Sequence, residues 1–168
     1  MSRRKLINSS VGRKFYVLDI ENMRGNFDGH ITAGEVARIR NEVERILPVE
    51  NMDQVVIGTS CPMNLLAAGA WKGARQVFHG GHDGADVVLL DVLNEENAAS
   101  RFSSVVLGSG DHIFAQAAGR LRKLGCNVIL LDTGTPISHL LKKSVTEIVR
   151  MPRTTTIPDM IHRLTAAA

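Results

Sequence analysis

The sequence predicts an α/β protein: a mostly parallel sheet of five or six strands, covered by helices on both faces. Three observations predict it. Short β-branched apolar runs alternate along the chain with longer segments of helical periodicity. Gly, Pro, Asn or Asp stands at most of the junctions between them. The chain has 168 residues, 44% of them apolar and 22% charged, which suffices for one domain with a real core. Strand–helix alternation of this kind requires crossover connections, and right-handed crossovers bury the sheet on both sides.

The elements follow in order. Residues 1–13 are polar and basic and predict a loose arm. Lys14–Ile20, KFYVLDI, is the first expected strand, rich in β-branched and aromatic side chains. Arg24–Gly34 is an expected loop of Gly, Asn and Asp. Glu35–Leu47 places Val36, Ile39, Val43, Ile46 and Leu47 at helical spacing, and Pro48 follows its end. Gln54–Gly58 is the second strand, Met63–Trp71 a short helix and Arg75–His79 the third strand. Asp83–Asn97 is the next helix, with Val88, Leu89, Val92 and Leu93 on its apolar face. Asp83 occupies its N-cap position and Asp86 lies three residues on.

The organising stretch is SSVVLGSGDHIF, residues 103–114. Val105–Leu107 forms a buried strand that stops at Gly108-Ser109-Gly110, and Asp111 precedes a helix running from about His112 to Leu124. Asn127–Leu131 is a fifth strand ending at Asp132, Ile137–Lys143 a short helix, and Thr146–Met151 a sixth strand. Residues 152–168 form a C-terminal segment in which Ile157–Leu164 has room for a helical turn or two. The domain proper is therefore residues 14–151.

Composition narrows the function classes. A net charge of +3 is compatible with nucleic acid. Aromatic residues make up only 4% of the chain, which argues against base stacking on an aromatic platform as the main binding mode. No apolar run approaches the ~20 residues that span a bilayer, and the basic N-terminus lacks a signal-peptide core. No membrane association and a cytoplasmic location are the expectation. Cys61 and Cys126 suggest two reduced, buried thiols rather than a disulfide framework.

Carboxylates carry the chemistry. Asp19 stands in an apolar strand, where a charge is costly unless something pairs with it or binds it. Asp111 alone would be an ordinary helix cap, and Asp83 and Asp86 a cap and a first-turn acid. If strands one and four are neighbours at a switch point, however, Asp19 and Asp111 approach each other, and Asp86 can join them. Three carboxylates at one sheet edge repel one another; a divalent cation turns that repulsion into attraction. Glu21 is expected to be solvated or to support its neighbours, and Asp132 to start a turn.

Other constellations are weaker. His79 and His82 with Asp83 permit a zinc reading but lack a further nearby ligand. Gly108-Ser109-Gly110 lacks the Gly-x-Ser-x-Gly pattern and has no His–acid pair placed for a serine hydrolase. A phosphoacceptor domain would need an acceptor Asp after strand three, where His79-Gly80-Gly81 stands. Arg120, Arg122 and Lys123, with Lys142 and Lys143, form a basic cluster suited either to phosphate contacts or to a solvated helix face.

Three phrases, FYVLDIENM, GADVVLLD and VVLGSGDHIFAQAAGRLRKLGCNVILL, together resemble the NYN family of PIN-like nucleases over about Lys14–Leu131. The resemblance implies a Rossmann-like, PIN-type α/β/α sandwich and metal-dependent cleavage of RNA, most naturally single-stranded. It implies that Asp19, Asp86 and Asp111 hold Mg²⁺ or Mn²⁺ and that Asn22 and Ser109 orient ligands or phosphate. Two positions depart from the family pattern. Ile113 stands where the family usually has a second late Asp, and Asp83 where its middle motif often has a Lys. Loss of the fourth carboxylate weakens a second metal site; Asp83, Asp132 or His112 are the nearby groups that could replace it. The alternative expectation is a catalytically weak or inactive RNA-binding or assembly module with the same fold. A homodimer through an edge strand or the C-terminal segment is a further possibility.

Overall fold

The computed structural model describes residues 12–25 and 29–152. Most of the expected arm, and the expected helical turns at Ile157–Leu164, lie outside the described residues. Six strands, β1 (Lys14–Asp19), β2 (Gln54–Thr59), β3 (Arg75–Phe78), β4 (Ser104–Gly108), β5 (Asn127–Asp132) and β6 (Glu147–Arg150), form one sheet. Its order is β3-β2-β1-β4-β5-β6, with every pairing parallel. The chain starts in the middle, builds outward to β3, and returns to lay β4 against the free side of β1. That reversal lies between β1 and β4, and the crevice outside the strands' C-terminal ends at such a switch point is where open α/β sheets bind ligands. The α/β/α sandwich expected from the sequence is the observed architecture.

The strands' period of two sorts the core into two layers. Phe15, Val17, Val56, Val105 and Leu107 point to one face, with Leu89, Phe114 and Leu121 packed over them. Tyr16, Leu18, Ile57, Val106 and Ile129 point to the other, against Val36, Ile39 and Val43. The alternation that sends Phe15 and Val17 to the first face sends Asp19 there as well.

Helices α1 (Ile20–Arg24), α2 (Ala33–Ile46), α3 (Pro62–Ala68), α4 (Gly84–Glu95), α5 (Ala98–Arg101), α6 (Ala115–Lys123) and α7 (His139–Ser144) connect the strands. Helix α1 falls between the expected strand end and loop, and α5 in a stretch for which the sequence suggested no element. The first arises because β1 stops at Asp19, whose carboxylate accepts from the backbone N–H groups of Glu21 and Asn22 and turns the chain into a helix. Helix α2 begins two residues earlier than expected because Thr32 and Glu35 form a reciprocal capping box. The single helix expected from His112 begins instead as a 3₁₀ turn, His112–Phe114, and becomes α-helical at Ala115. Among the described residues no helix is long and apolar enough to cross a membrane.

Candidate functional site

Asp19 ends β1 at the crevice and is only 6% exposed. Its Oδ1 accepts from the N–H groups of Glu21 (2.9 Å) and Asn22 (3.0 Å). The sequence offered no structural role for this carboxylate; capping α1 is one. The cap does not offset the burial. Desolvation, together with the nearby charges of Asp86 and Glu21, pushes the Asp19 carboxyl up to about 7.

Asp86 sits in the first turn of α4 and is 8% exposed. Two close approaches bring it to the edge. Gly84 packs so tightly against the end of β3 that an added Cβ would stand 1.9 Å from the His79 carbonyl oxygen. Ser109, 3% exposed, donates from its hydroxyl to Asp86 Oδ1 at 3.2 Å and accepts from the Asp111 N–H at 3.3 Å. Burial, then the charge of Asp111 and that of Asp83, raise the Asp86 carboxyl, while hydrogen bonds with Ser109 and Asp19 hold it down. Burial thus pushes both carboxyls of the Asp19–Asp86 pair above the ordinary carboxylate range.

Asp111 lies beyond the end of β4, less buried than the pair. Its carboxylate accepts from the Ile113 N–H at 2.8 Å and faces His112 Nδ1 at 2.9 Å. The capping role is therefore real, and the same group still acts electrostatically on Asp86. Asn22 Oδ1 accepts from the Gly110 N–H (3.3 Å) and the Thr135 hydroxyl (3.4 Å), tying α1 to the β4 and β5 loops. Gly110 permits this: a Cβ there would meet the Pro136 carbonyl oxygen at 2.5 Å.

Of the two roles expected of Glu21, solvated or supporting its neighbours, the structure shows the second. Glu21 accepts from the Ser60 N–H at 2.9 Å and the Asn64 side-chain amide at 2.7 Å, and also from the Ser60 hydroxyl. Its position two residues after Asp19 was the signal for this. Thr135 carried no signal, since nothing in a Gly-Thr turn predicts a bond to a residue in α1.

Several expected participants stand elsewhere. Asp83 precedes α4, but its left-handed backbone (φ +58°) carries its side chain away from the helix N–H groups, and it caps nothing. It pairs with His82 Nδ1 at 2.7 Å, which raises the His82 pKa. Asp132 Oδ1 accepts from the Gly134 N–H at 2.9 Å, as a turn-starting residue does. Arg120, Arg122 and Lys123 are in the last turn of α6. A helix following a parallel strand runs back along the sheet, so these cations lie at the edge opposite the carboxylates and do not line the site. Cys61 is half-exposed with its Sγ 3.4 Å from His30 Nδ1, not buried; Cys126 is buried.

Among the described residues no three Asp, Glu, His or Cys side chains converge to enclose one ion. A buried pair of carboxylates, both pushed up chiefly by desolvation, nevertheless has the donor chemistry of a Mg²⁺ or Mn²⁺ site. Mg²⁺ keeps several waters and takes one or two carboxylates. Asp19 and Asp86 fit that requirement, and the Asp111 charge acts on Asp86.

No protein-family model matches the chain, and no curated protein sequence matches it either. A solved structure does. The chain is similar to a protein of unknown function, VPA0982 from Vibrio parahaemolyticus, with a TM-score of 0.59. The match covers 83% of this chain and 93% of that one at 16% identity, which establishes the shared fold.

Proposed function

We propose that this protein is a metal-dependent ribonuclease that hydrolyses RNA phosphodiester bonds at the β1–β4 crevice. The observation that carries the reading is the buried Asp19–Asp86 pair. Burial pushes both carboxyls up, and a positive charge between them would offset that cost. A bound Mg²⁺ or Mn²⁺ supplies Lewis acidity toward a phosphoryl oxygen and lowers the pKa of water. Asp19 and Asp86 would hold the cation. The Ser109 hydroxyl fixes the rotamer of Asp86, and the two backbone N–H groups on Asp19 fix that of Asp19. Asn22, whose oxygen is already occupied, presents its amide N–H₂ to a phosphate oxygen. Asp111, at the more open side, orients water. RNA as the substrate rests on the resemblance to the NYN family, and the crevice chemistry suits any phosphodiester.

The test is cleavage of a labelled single-stranded RNA with Mg²⁺, Mn²⁺ or EDTA, beside Asp19→Asn. Metal-dependent cleavage should fall on the order of 100-fold or more in the variant, since even groups behind metal ligands cost 10–100-fold. Full activity in the variant would sink the reading.

One observation favours a second reading, a non-catalytic RNA-binding or assembly module. Ile113, at the position where the family carries an acid, is half-buried and packs against the α4–α6 core. The position is committed to packing. RNA binding by the wild-type protein with no metal-dependent cleavage would select this reading.

A further inference from the structure

The basic cluster that does not reach the carboxylates occupies one end of the molecule. Arg120, Arg122 and Lys123 end α6, and Lys142 and Lys143 stand in the last turn of α7. All five are exposed. The two helices pack side by side, and Arg122 Nη1 donates to the Lys143 carbonyl oxygen at 3.1 Å. Arg120 bonds the Asn94 side chain on α4, so the cations form a strip across two helices that reaches a third.

The helix macrodipole favours cations in a last turn, and position alone makes no site. Clustering without partners separates this strip from the rest of the surface: among the described residues Arg13, Arg45, Lys72 and Arg150 also form no ion pair, but each stands on or beside a different element. Lys14, Arg24, Arg38, Arg40, Arg75 and Arg101 each have a carboxylate partner. Among the described residues none of the five strip cations does. The exposed acids on neighbouring elements, Asp91 and Glu95 on α4, and the half-exposed Glu147 on β6 form no ion pair with them. A groove of about 320 Å³ between α4 and α6 adjoins Arg120, walled by Leu93, Leu121 and Leu124 with the Asn94 and Asn97 amides at its rim. Apolar walls beside amides and a guanidinium suit an unstacked base next to its phosphate.

We propose that the α6–α7 end is a second RNA-contacting face, which anchors the phosphate backbone of a long strand at the sheet edge opposite the Asp19–Asp86 pair. The inference rests on the ribonuclease reading for the identity of the polyanion and extends it to substrate length. Strand β5 has six residues. At ~3.3 Å per residue, the two edges are therefore roughly 20 Å apart. Only an RNA that crosses that distance engages both. Phosphate contacts position a strand without reading sequence, so this face selects for length and not for base identity.

The experiment is fluorescence-anisotropy binding of a labelled RNA of about 20 nucleotides, in EDTA so that nothing is cut, across a salt series. The variant is Lys123→Gln with Lys142→Gln and Lys143→Gln. The charge-matched control is Arg38→Gln with Arg40→Gln and Arg45→Gln on α2. Each single-strand phosphate contact contributes about 0.7 to the slope of log K against log salt, so the triple variant should flatten it by about 2. The control should keep the wild-type slope. Cleavage of a dinucleotide, too short to span the edges, should be equal in wild type and variant, while KM for the long RNA rises. Wild-type binding with an unchanged slope in the α6–α7 variant overturns this inference and leaves the ribonuclease reading standing. An equal loss in the α2 control overturns it too, because net charge alone would then be at work. Wild-type protein that binds no RNA overturns this inference too, while metal-dependent cleavage decides the ribonuclease reading separately.

Discussion

Two strands of this protein end alike and fare differently. β1 is KFYVLD and β5 is NVILLD, each an apolar parallel strand closed by Asp at the same sheet edge. Asp19 is almost fully buried, faces a second carboxylate and is pushed up to about 7. Asp132 is half-exposed, accepts a turn N–H and pairs in register with Arg150 on β6. The difference lies in what each strand has beside it. β1 borders the reversal of strand order, where α4 descends onto the edge from one side and the β4 loop closes from the other. β5 lies away from that reversal, between β4 and β6, and its terminal Asp meets solvent. A strand-end carboxylate gains its unusual chemistry from its place in the topology.

The strongest way to break the contrast is to lift α4 off the edge. Gly84→Ala puts a methyl carbon 1.9 Å from the His79 carbonyl oxygen, a backbone atom that cannot swing aside. Overpacking costs typically 1–3 kcal/mol and sometimes more, and this position should lie at about 3 kcal/mol. Urea unfolding measures the loss. Because Asp86 rides on the displaced turn, the Asp19 titration should also move back toward the ordinary carboxylate range, as seen by carboxyl NMR. An unchanged titration in a destabilised variant would mean that desolvation alone, and not Asp86, raises Asp19.

How much of this was legible in the sequence follows the same division. The alternation of apolar runs and periodic segments carried the six strands and the α/β/α layering, because both depend on local pattern and on burial. Asp19 stood out as a charge in an apolar strand, and its burial is the structural counterpart of that signal. The adjacency of β1 and β4 needed an assumption about strand order, which the structure supplies. The capping roles of Asp19 and Thr32 were less visible, since they depend on where a strand stops. The placement of Arg120, Arg122 and Lys123 was misjudged for a geometric reason. Nine residues of helix carry the chain from Asp111's edge back to the other one, so nearness in sequence became distance in space. Asp83 was misjudged for a backbone reason, a left-handed residue that no side-chain pattern announces.

A smaller effect sharpens the contrast through pH. The native Asp19 carboxyl has a raised pKa, so between the ordinary carboxylate value near 4 and about 7 the folded protein holds a proton that the unfolded chain has lost. The metal-free protein is therefore most stable at the acidic end of that window and loses stability as pH rises through it. Asp19→Asn removes the ionisation while keeping an oxygen for the Glu21 and Asn22 N–H groups. It should stabilise the metal-free protein at pH 8 by about 1–3 kcal/mol and flatten the dependence between pH 4 and 8, measured by urea unfolding in EDTA. Adding Mn²⁺ at pH 8 should stabilise the wild type and leave the variant unmoved, because a ligand that binds only the folded state adds RT ln(1 + [L]/Kd). A wild-type profile that rises with pH over this window would show that Asp19 is ionised without help.

The smallest effect expected is the most informative about cause. Asp132→Asn also replaces a strand-end carboxylate by its isostere, and the amide oxygen can still accept the Gly134 N–H. The group is half-exposed and faces no second carboxylate, so stability should change by no more than about 0.5 kcal/mol at pH 8. The slope of stability against pH and the response to Mn²⁺ should both match the wild type. If Asp132→Asn flattened the profile as Asp19→Asn does, the pH dependence would belong to strand-end carboxylates in general. An effect confined to Asp19 ties it to the crevice, because the two side chains differ in neither chemistry nor strand context but only in what the reversal of the sheet brings against them.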